Sequence, residues 1–312
     1  MPFKRGQLRY FVTVAEEGQV TGAAAKLQIA QPALSQAIAR LESELDVQLL
    51  ERHARGVTLT ADGEKFYAKA RLALDACTDA VQTARSLARA DKGIIEFGFL
   101  GAPPGLDSPA HLEAFAETHP DIDIRYRELP FPSGATTSWL SEVDIAVCHL
   151  PPADRNVWSQ LLRLERRVVL APKRHPLAGR CELTVAEVMD ETFIGLHPSI
   201  EPAWAGFWSL DDHRGEPPRH VTVDRAANPQ EVLASLAVRR AITTVPASVA
   251  GVIVSVVTGV TAIPVRDAKP AAITLVGRED RRNALVAILA EFARNLAGDG
   301  GDSADAPLPA DA

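Results

Sequence analysis

Between Gln31 and Leu45 two kinds of residue alternate at helical spacing. Leu34, Ile38, Leu41 and Leu45 recur at steps of four, three and four, the stripe that a helix turns toward a core. Pro32, Ser35, Gln36, Ala39, Arg40 and Ser43 fall on the opposite side. That face is small and polar. Gln and Ser side chains can hydrogen-bond to base edges, and small neighbours let the backbone come close enough for them to reach. An ordinary amphipathic helix with a solvated face fits this pattern equally well. Arg40 has a further partner available in Glu44, one helical turn on.

The surrounding segments show what would position such a face. Leu8, Phe11, Val12 and Ala15 mark a helix that Gly18 ends. A short helix over Val20 to Leu27 follows, with Thr21 as its expected cap and Lys26 as a solvated charge. Gln28-Ile29-Ala30 breaks the chain, and Gln31-Pro32 opens the next helix with proline in the first turn. Two helices joined by a tight turn form the layout of a DNA-reading helix-turn-helix. Val47-Leu49-Leu50 and Val57-Leu59 then flank a basic loop with Arg52, His53, Arg55 and Gly56, the expected wing. Thr60 is placed to cap the long helix that follows. From Ala61 to Ala90 there is no proline. Phe66, Ala70, Ala73, Cys77, Ala80, Ala84 and Leu87 form a heptad stripe of mostly small residues, which predicts a close helix–helix contact.

Beyond Gly93 the texture changes to short apolar runs alternating with helical patterns. Strands are expected at Ile94–Leu100, Ile122–Leu129, Val143–Cys148, Leu164–Ala171, Phe193–Leu196, Val221–Val223, Ala241–Val245, Val260–Pro264 and Ala272–Val276. Helices are expected at Ser108–His119 and Asn283–Leu296. This alternation predicts an α/β domain with a largely parallel sheet, split into two lobes. Residues 299–312 are Gly, Asp, Ser, Ala and Pro and read as a disordered tail.

Charge is distributed unevenly. Residues through Lys92 hold 13 of the 33 basic and 11 of the 40 acidic side chains, leaving the remainder clearly acidic. That fits an N-terminal part near phosphates and a C-terminal part kept off them. Cys77, Cys148 and Cys181 are scattered without metal or disulfide spacing, so isolated reduced thiols and no metal are expected. The polar N-terminus lacks an apolar signal core, and the longest apolar stretch, Val245–Val257, is broken by Pro246, Ser248, Gly251 and Ser255. A cytoplasmic protein without membrane contact is expected. No nucleophile elbow, phosphate loop, zinc-protease motif or carboxylate pair appears, so neither an enzyme nor a cofactor is expected.

The first 65 residues resemble the LysR family of bacterial transcription regulators. Leu8-Arg9-Tyr10-Phe11, Ala15-Glu16-Glu17-Gly18, Ala23-Ala24, Gln31-Pro32-Ala33-Leu34-Ser35, Leu41-Glu42, Glu51-Arg52 and Leu59-Thr60-Ala61-Asp62-Gly63 stand in the family's order and spacing, and Arg174-His175-Pro176-Leu177 adds a weaker match. Val20, Asp46 and Leu50 depart from the family's usual Phe, Gly and Phe, and Gln36 stands where Arg is common. The resemblance implies a multi-domain α+β chain. A winged helix-turn-helix (1–65) leads into a linker and dimerisation helix (66–92). A two-lobed domain like periplasmic binding proteins follows (93–298), with one lobe of 93–165 plus 268–298 and the other of 166–267. It implies that Gln31, Pro32, Ala33, Ser35 and Gln36 approach base edges of double-stranded operator DNA, that Arg52 and Arg55 approach phosphate, and that the chain forms homodimers or tetramers. Arg40 could serve either DNA or Glu44. The family's effector sits between the lobes, beyond strand ends. The matching positions here include Ala102, Pro103, Phe131, Ser133, His149, His197, Ser199, Arg225, Asn228, Thr244 and Pro246. The family's first-loop Ser or Thr is missing from Gly101-Ala102-Pro103-Pro104, which moves the expected polar anchor to His197, Ser199 and Arg225. The implied function is a DNA-binding regulator whose operator binding or DNA bending answers to a small-molecule effector of unknown identity. A solute-binding module is the alternative for the C-terminal half.

Overall fold

The computed structural model describes residues 5–53, 56–100, 109–132, 137–149 and 154–299. Arg55, Ala102, Pro103, Ser133 and residues 300–312 of the expected tail lie outside them. The chain divides into two compact units, Met1–Gln82 and Thr83–Ala312.

The first unit begins with helices α1 (Arg5–Glu17), α2 (Val20–Leu27) and α3 (Gln31–Leu45). Their apolar stripes meet in one core in which Phe11, Leu34 and Leu41 are fully buried. Each such side chain contributes about 1.5–3 kcal/mol by leaving water. Gly18 takes φ +63° and ends α1 as its type predicts. Thr21 does not cap α2: the helix starts one residue earlier, with Gln19 at the cap position, so Thr21 lies inside its first turn. Asp46 adopts the left-handed φ of +53° at the end of α3, which explains why glycine suits this position. Strands β1 (Leu50–His53) and β2 (Gly56–Leu59) pair antiparallel as the wing. Helix α4 (Ala61–Ala90) follows, about 45 Å long at 1.5 Å per residue. Thr60 caps it, its hydroxyl accepting from the Gly63 N–H at 2.8 Å. A side chain at Gly63 would strike the Leu49 carbonyl, so the start of α4 packs tightly beneath the wing.

The α4 stripe divides along its length. Phe66 and Ala70 belong to the core of the first unit, whereas Ala73, Cys77, Ala80, Ala84 and Leu87 are exposed. The expected contact surface therefore loses its first two members, because their own domain already covers them. The last turns of α4, from Thr83 on, belong to the second unit, where Ser86 and Arg89 hydrogen-bond to the buried Asp144 carboxylate, Arg89 at 2.8 Å.

The second unit continues with β3 (Ile94–Phe99), α5 (Pro109–Thr118), β4 (Asp123–Glu128), β5 (Ile145–Cys148), β6 (Val157–Glu165) and β7 (Arg167–Pro172). Next come α6 (Val185–Val188), α7 (Pro202–Trp208), α8 (Asp211–Arg214), α9 (Pro229–Val238), β8 (Thr243–Pro246) and α10 (Ala247–Val256). Strands β9 (Val260–Pro264) and β10 (Ala271–Arg278) and helix α11 (Ala284–Asp299) close the fold. Two sheets form, in the orders β4-β3-β5-β10-β6 and β8-β7-β9. The expected largely parallel sheet is corrected here. Only β3 pairs in parallel, with β4 and β5; β10 runs antiparallel to both its neighbours, and every pairing of the second sheet is antiparallel. Strand β10 enters the first sheet from the other side because the chain returns from the second sheet, and that reverses its direction. The single strand expected over Leu164–Ala171 is two strands in different sheets, broken at Arg166. Phe193–Leu196 and Val221–Val223 are not strands; they make only isolated bridges, Phe193 with Val221 and Ile242, and Leu196 with Ala226.

Candidate nucleic-acid interface and ligand cavity

On α3, Gln31, Pro32, Ala33, Gln36 and Arg40 are exposed and Ser35 is partly so, while Leu34, Ile38 and Leu41 face inward. Gln31 Nε2 donates to Ser35 Oγ at 3.4 Å, one turn apart on the same face. Arg40 Nε donates to Glu44 Oε1 at 2.8 Å, so the local ion pair is the partner it holds here. Lys26 is paired with Glu17 at 2.7 Å rather than simply solvated. The helix is tied to the wing by Glu42, whose Oε1 accepts from the Leu49 and Leu50 N–H groups at 2.7 and 3.0 Å. Arg52 stands exposed on β1, opposite Val57. Exposed donors on α3 and a cation on the adjoining hairpin are thus held on one small rigid scaffold.

The second unit contains a cavity of about 340 Å³. Leu100 and His149, just past the ends of β3 and β5, contribute from the first sheet. Leu170, Thr244 and Pro246 contribute from β7 and β8, and Trp204 and Trp208 from α7. Of the expected effector residues, Phe131, His149, Thr244 and Pro246 line it. His197, Ser199, Arg225 and Asn228 do not. His197 Nδ1 and Ser199 Oγ lie 2.8 Å apart in an exposed turn, and Asn228 caps α9 by accepting from the Glu231 N–H at 3.0 Å. Arg225 is exposed and borders a separate depression with Asp224 and Arg239. These four follow loops rather than the ends of true strands, so the strand-end argument does not bring them to this cavity.

The cavity wall is apolar with few polar atoms. Thr244 Oγ1 is already occupied, donating to the Trp208 carbonyl at 2.7 Å. His149 is buried, and burial pushes its pKa down to about 4. Its Nε2, with Nε1 of Trp204 and of Trp208, has no hydrogen-bond partner among the described residues. Sequence reasoning missed Trp204 and Trp208. Their signal was a pair of indoles one helical turn apart behind Pro202. The apolar stretch Val245–Val257 supplies Val249, Val252, Ile253 and Val256 to the cavity from α10. No helix among the described residues is long and apolar enough to cross a membrane.

These features define a helix-turn-helix DNA-binding protein joined to a two-sheet small-molecule-binding unit. Residues 6–64 match the bacterial regulatory helix-turn-helix domain of the LysR family, and residues 78–298 match the LysR substrate-binding domain. The transcriptional regulator AlsR of Bacillus subtilis (strain 168) is 30% identical over 242 residues, 77% of this chain and 80% of that protein. BenM of Acinetobacter baylyi (strain ATCC 33305 / BD413 / ADP1) is 33% identical over 247 residues, 77% of this chain and 79% of that protein. The crystal structure of full-length BenM superposes with a TM-score of 0.52 at 27% identity, covering 98% of this chain and 100% of that one. The chain belongs to the LysR family of transcriptional regulators.

Proposed function

We propose that the protein is a cytoplasmic homo-oligomeric regulator that binds double-stranded operator DNA through α3 and the wing, and that a small molecule in the cavity modulates this binding or the bending of the DNA. The observation that carries the reading is the pairing, in one chain, of an exposed polar α3 face with an apolar cavity that has unpartnered hydrogen-bonding groups in its walls. The working division is 1–65 for DNA, 66–92 for the dimerisation helix, 93–298 for effector binding and 299–312 as tail. Gln31, Pro32, Ala33, Ser35 and Gln36 take the base-edge role, and Arg52 and Arg55 the phosphate role. Arg40 keeps its pair with Glu44. For the effector, Phe131, His149, Thr244 and Pro246 are retained, and Trp204 and Trp208 join them.

Gln36 is exposed on the face that would enter the groove. Gln36→Ala is expected to relax preference at one base pair, at a cost of about 1–3 kcal/mol there. Selection of binding sites from a random pool checks this; recovery of the wild-type motif unchanged removes Gln36 from base reading. Arg52 acts differently. Arg52→Ala is expected to weaken all DNA sequences alike and to flatten the slope of log K against log salt by about one. Titrations at several salt concentrations measure that slope, and an unaltered value rejects the phosphate contact.

A further inference from the structure

We propose that the cavity takes an uncharged, largely apolar molecule carrying a hydrogen-bond acceptor, such as a lipophilic ketone or lactone, and not a carboxylate. This rests on the reading of the cavity as the effector site. Three observations support it. First, no Lys, Arg, Asp or Glu is among the described residues that line the cavity. An anion there would lose its hydration without a counter-charge, which apolar walls penalise heavily. The nearby cation, Arg163, is engaged by Glu165, Nε to Oε1 at 2.8 Å. Second, His149 is uncharged at neutral pH because burial opposes its protonation, so it supplies no positive charge.

Third, three side chains of the wall carry nitrogens that no described residue partners. His149 Nε2 and the indole N–H groups of Trp204 and Trp208 are buried without a hydrogen-bond partner among the described residues. An indole N–H can only donate, and neutral imidazole has one donor. Buried donors left unpaired are costly, so a molecule that offers them an acceptor gains over one that does not. The three side chains sit together: the rings of His149 and Trp208 are 6.1 Å apart at 80°, and those of Trp204 and Trp208 are 5.8 Å apart at 70°. One acceptor on a flat apolar body matches such a group. At the packing density of protein interiors, 340 Å³ holds roughly ten to fifteen non-hydrogen atoms.

Calorimetry on the full-length protein with three probes of similar shape tests this: 1-tetralone (neutral, one acceptor), tetralin (hydrocarbon) and 1-naphthoate (anion). 1-Tetralone is expected to bind at least tenfold more tightly than either of the others. His149→Phe is expected to bring the ketone to within about threefold of the hydrocarbon while leaving tetralin affinity in place. Trp208→Phe, which keeps an aromatic ring and removes one donor, carries the same test if the first variant does not fold. Equal affinity for 1-tetralone and tetralin overturns the proposal. So does tightest binding of 1-naphthoate that Val249→Trp abolishes; the cavity would then remain the effector site but accept anions. Binding of no probe, or binding insensitive to Val249→Trp, removes the cavity reading and this inference with it.

Discussion

Replacing Arg167 with alanine is expected to destabilise the second unit by about 3 kcal/mol, the lower end of the cost of removing one partner from a buried ion pair. Arg167 is fully buried at the start of β7, one residue after the chain crosses between the sheets. Its guanidinium binds four groups from two other segments. Nε donates to the Lys269 carbonyl at 2.7 Å, on the segment where the chain crosses back. Nη1 donates to the Phe207 carbonyl at 2.5 Å, and Nη2 to Asp212 Oδ2 at 2.9 Å. Its carbon centre lies 4.0 Å above the Phe207 ring. Alanine would strand a carboxylate and two carbonyls and open a void. Asp212 keeps partial solvent access, which is why the lower end applies. For a unit of this size 3 kcal/mol corresponds to a drop in Tm of roughly 6–12 °C. Lysine restores charge without the planar fork and should recover only part of the loss. A Tm within 2 °C of wild type for Arg167→Ala would falsify the clamp. Because Phe207 adjoins Trp208, the variant should also weaken binding in the cavity.

The same residue shows where sequence reasoning stopped. Leu164 to Ala171 reads as one apolar run, and the three charges inside it, Glu165-Arg166-Arg167, were the signal of a break. Charged residues in a buried strand must be paired, and here the pairs mark the crossing between sheets. By contrast, α1 and α3 were legible because each buries a stripe of period 3.6 against one core, and α4 because its stripe repeats for thirty residues without a proline, though only its first members are buried. Such a period survives in the sequence. Strand direction does not. It depends on which sheet the chain has just left, and no local pattern records that. The candidate site divides in the same way. The exposed α3 face follows from its helix, so the sequence pattern alone places Gln31 and Gln36 on the outward side. The cavity depends on which side of a mostly apolar segment stays uncovered. Val245–Val257 shows no polar face to distinguish its packed side from its open one, so α10 went unrecognised as a cavity wall. Phe131, His149, Thr244 and Pro246 line the cavity because they follow, end or adjoin genuine strands. Arg225 and His197 stand outside the cavity lining, and the strands expected before them are isolated bridges.

Ala80→Glu is expected to break the oligomer while leaving the protomer folded. The exposed part of the α4 stripe runs from Ala73 through Cys77, Ala80 and Ala84 to Leu87, with Val81 beside it. Val81 is 46% exposed and Leu87 59% exposed, a large apolar display for a solvated helix. Small residues between them permit a second helix to approach closely, and a heptad repeat keeps the two faces aligned. Ala80 lies near the centre of that surface and contacts no core of its own, so the substitution leaves the protomer's packing intact. Glutamate is also a good helix former, and the cost in helix propensity is a few tenths of a kcal/mol at most. In the assembled state each glutamate would lose water against alanines and a partner carrying the same charge. Association is expected to weaken at least about a hundredfold, equivalent to about 2.8 kcal/mol. Ala80→Ser keeps the volume small and should assemble nearly as well as wild type. Light scattering across a dilution series reads the molar mass, and circular dichroism confirms unchanged helix content. If Ala80→Glu retains the wild-type mass at every concentration, the exposed stripe is not the contact, and the close helix pairing inferred from its small residues is wrong.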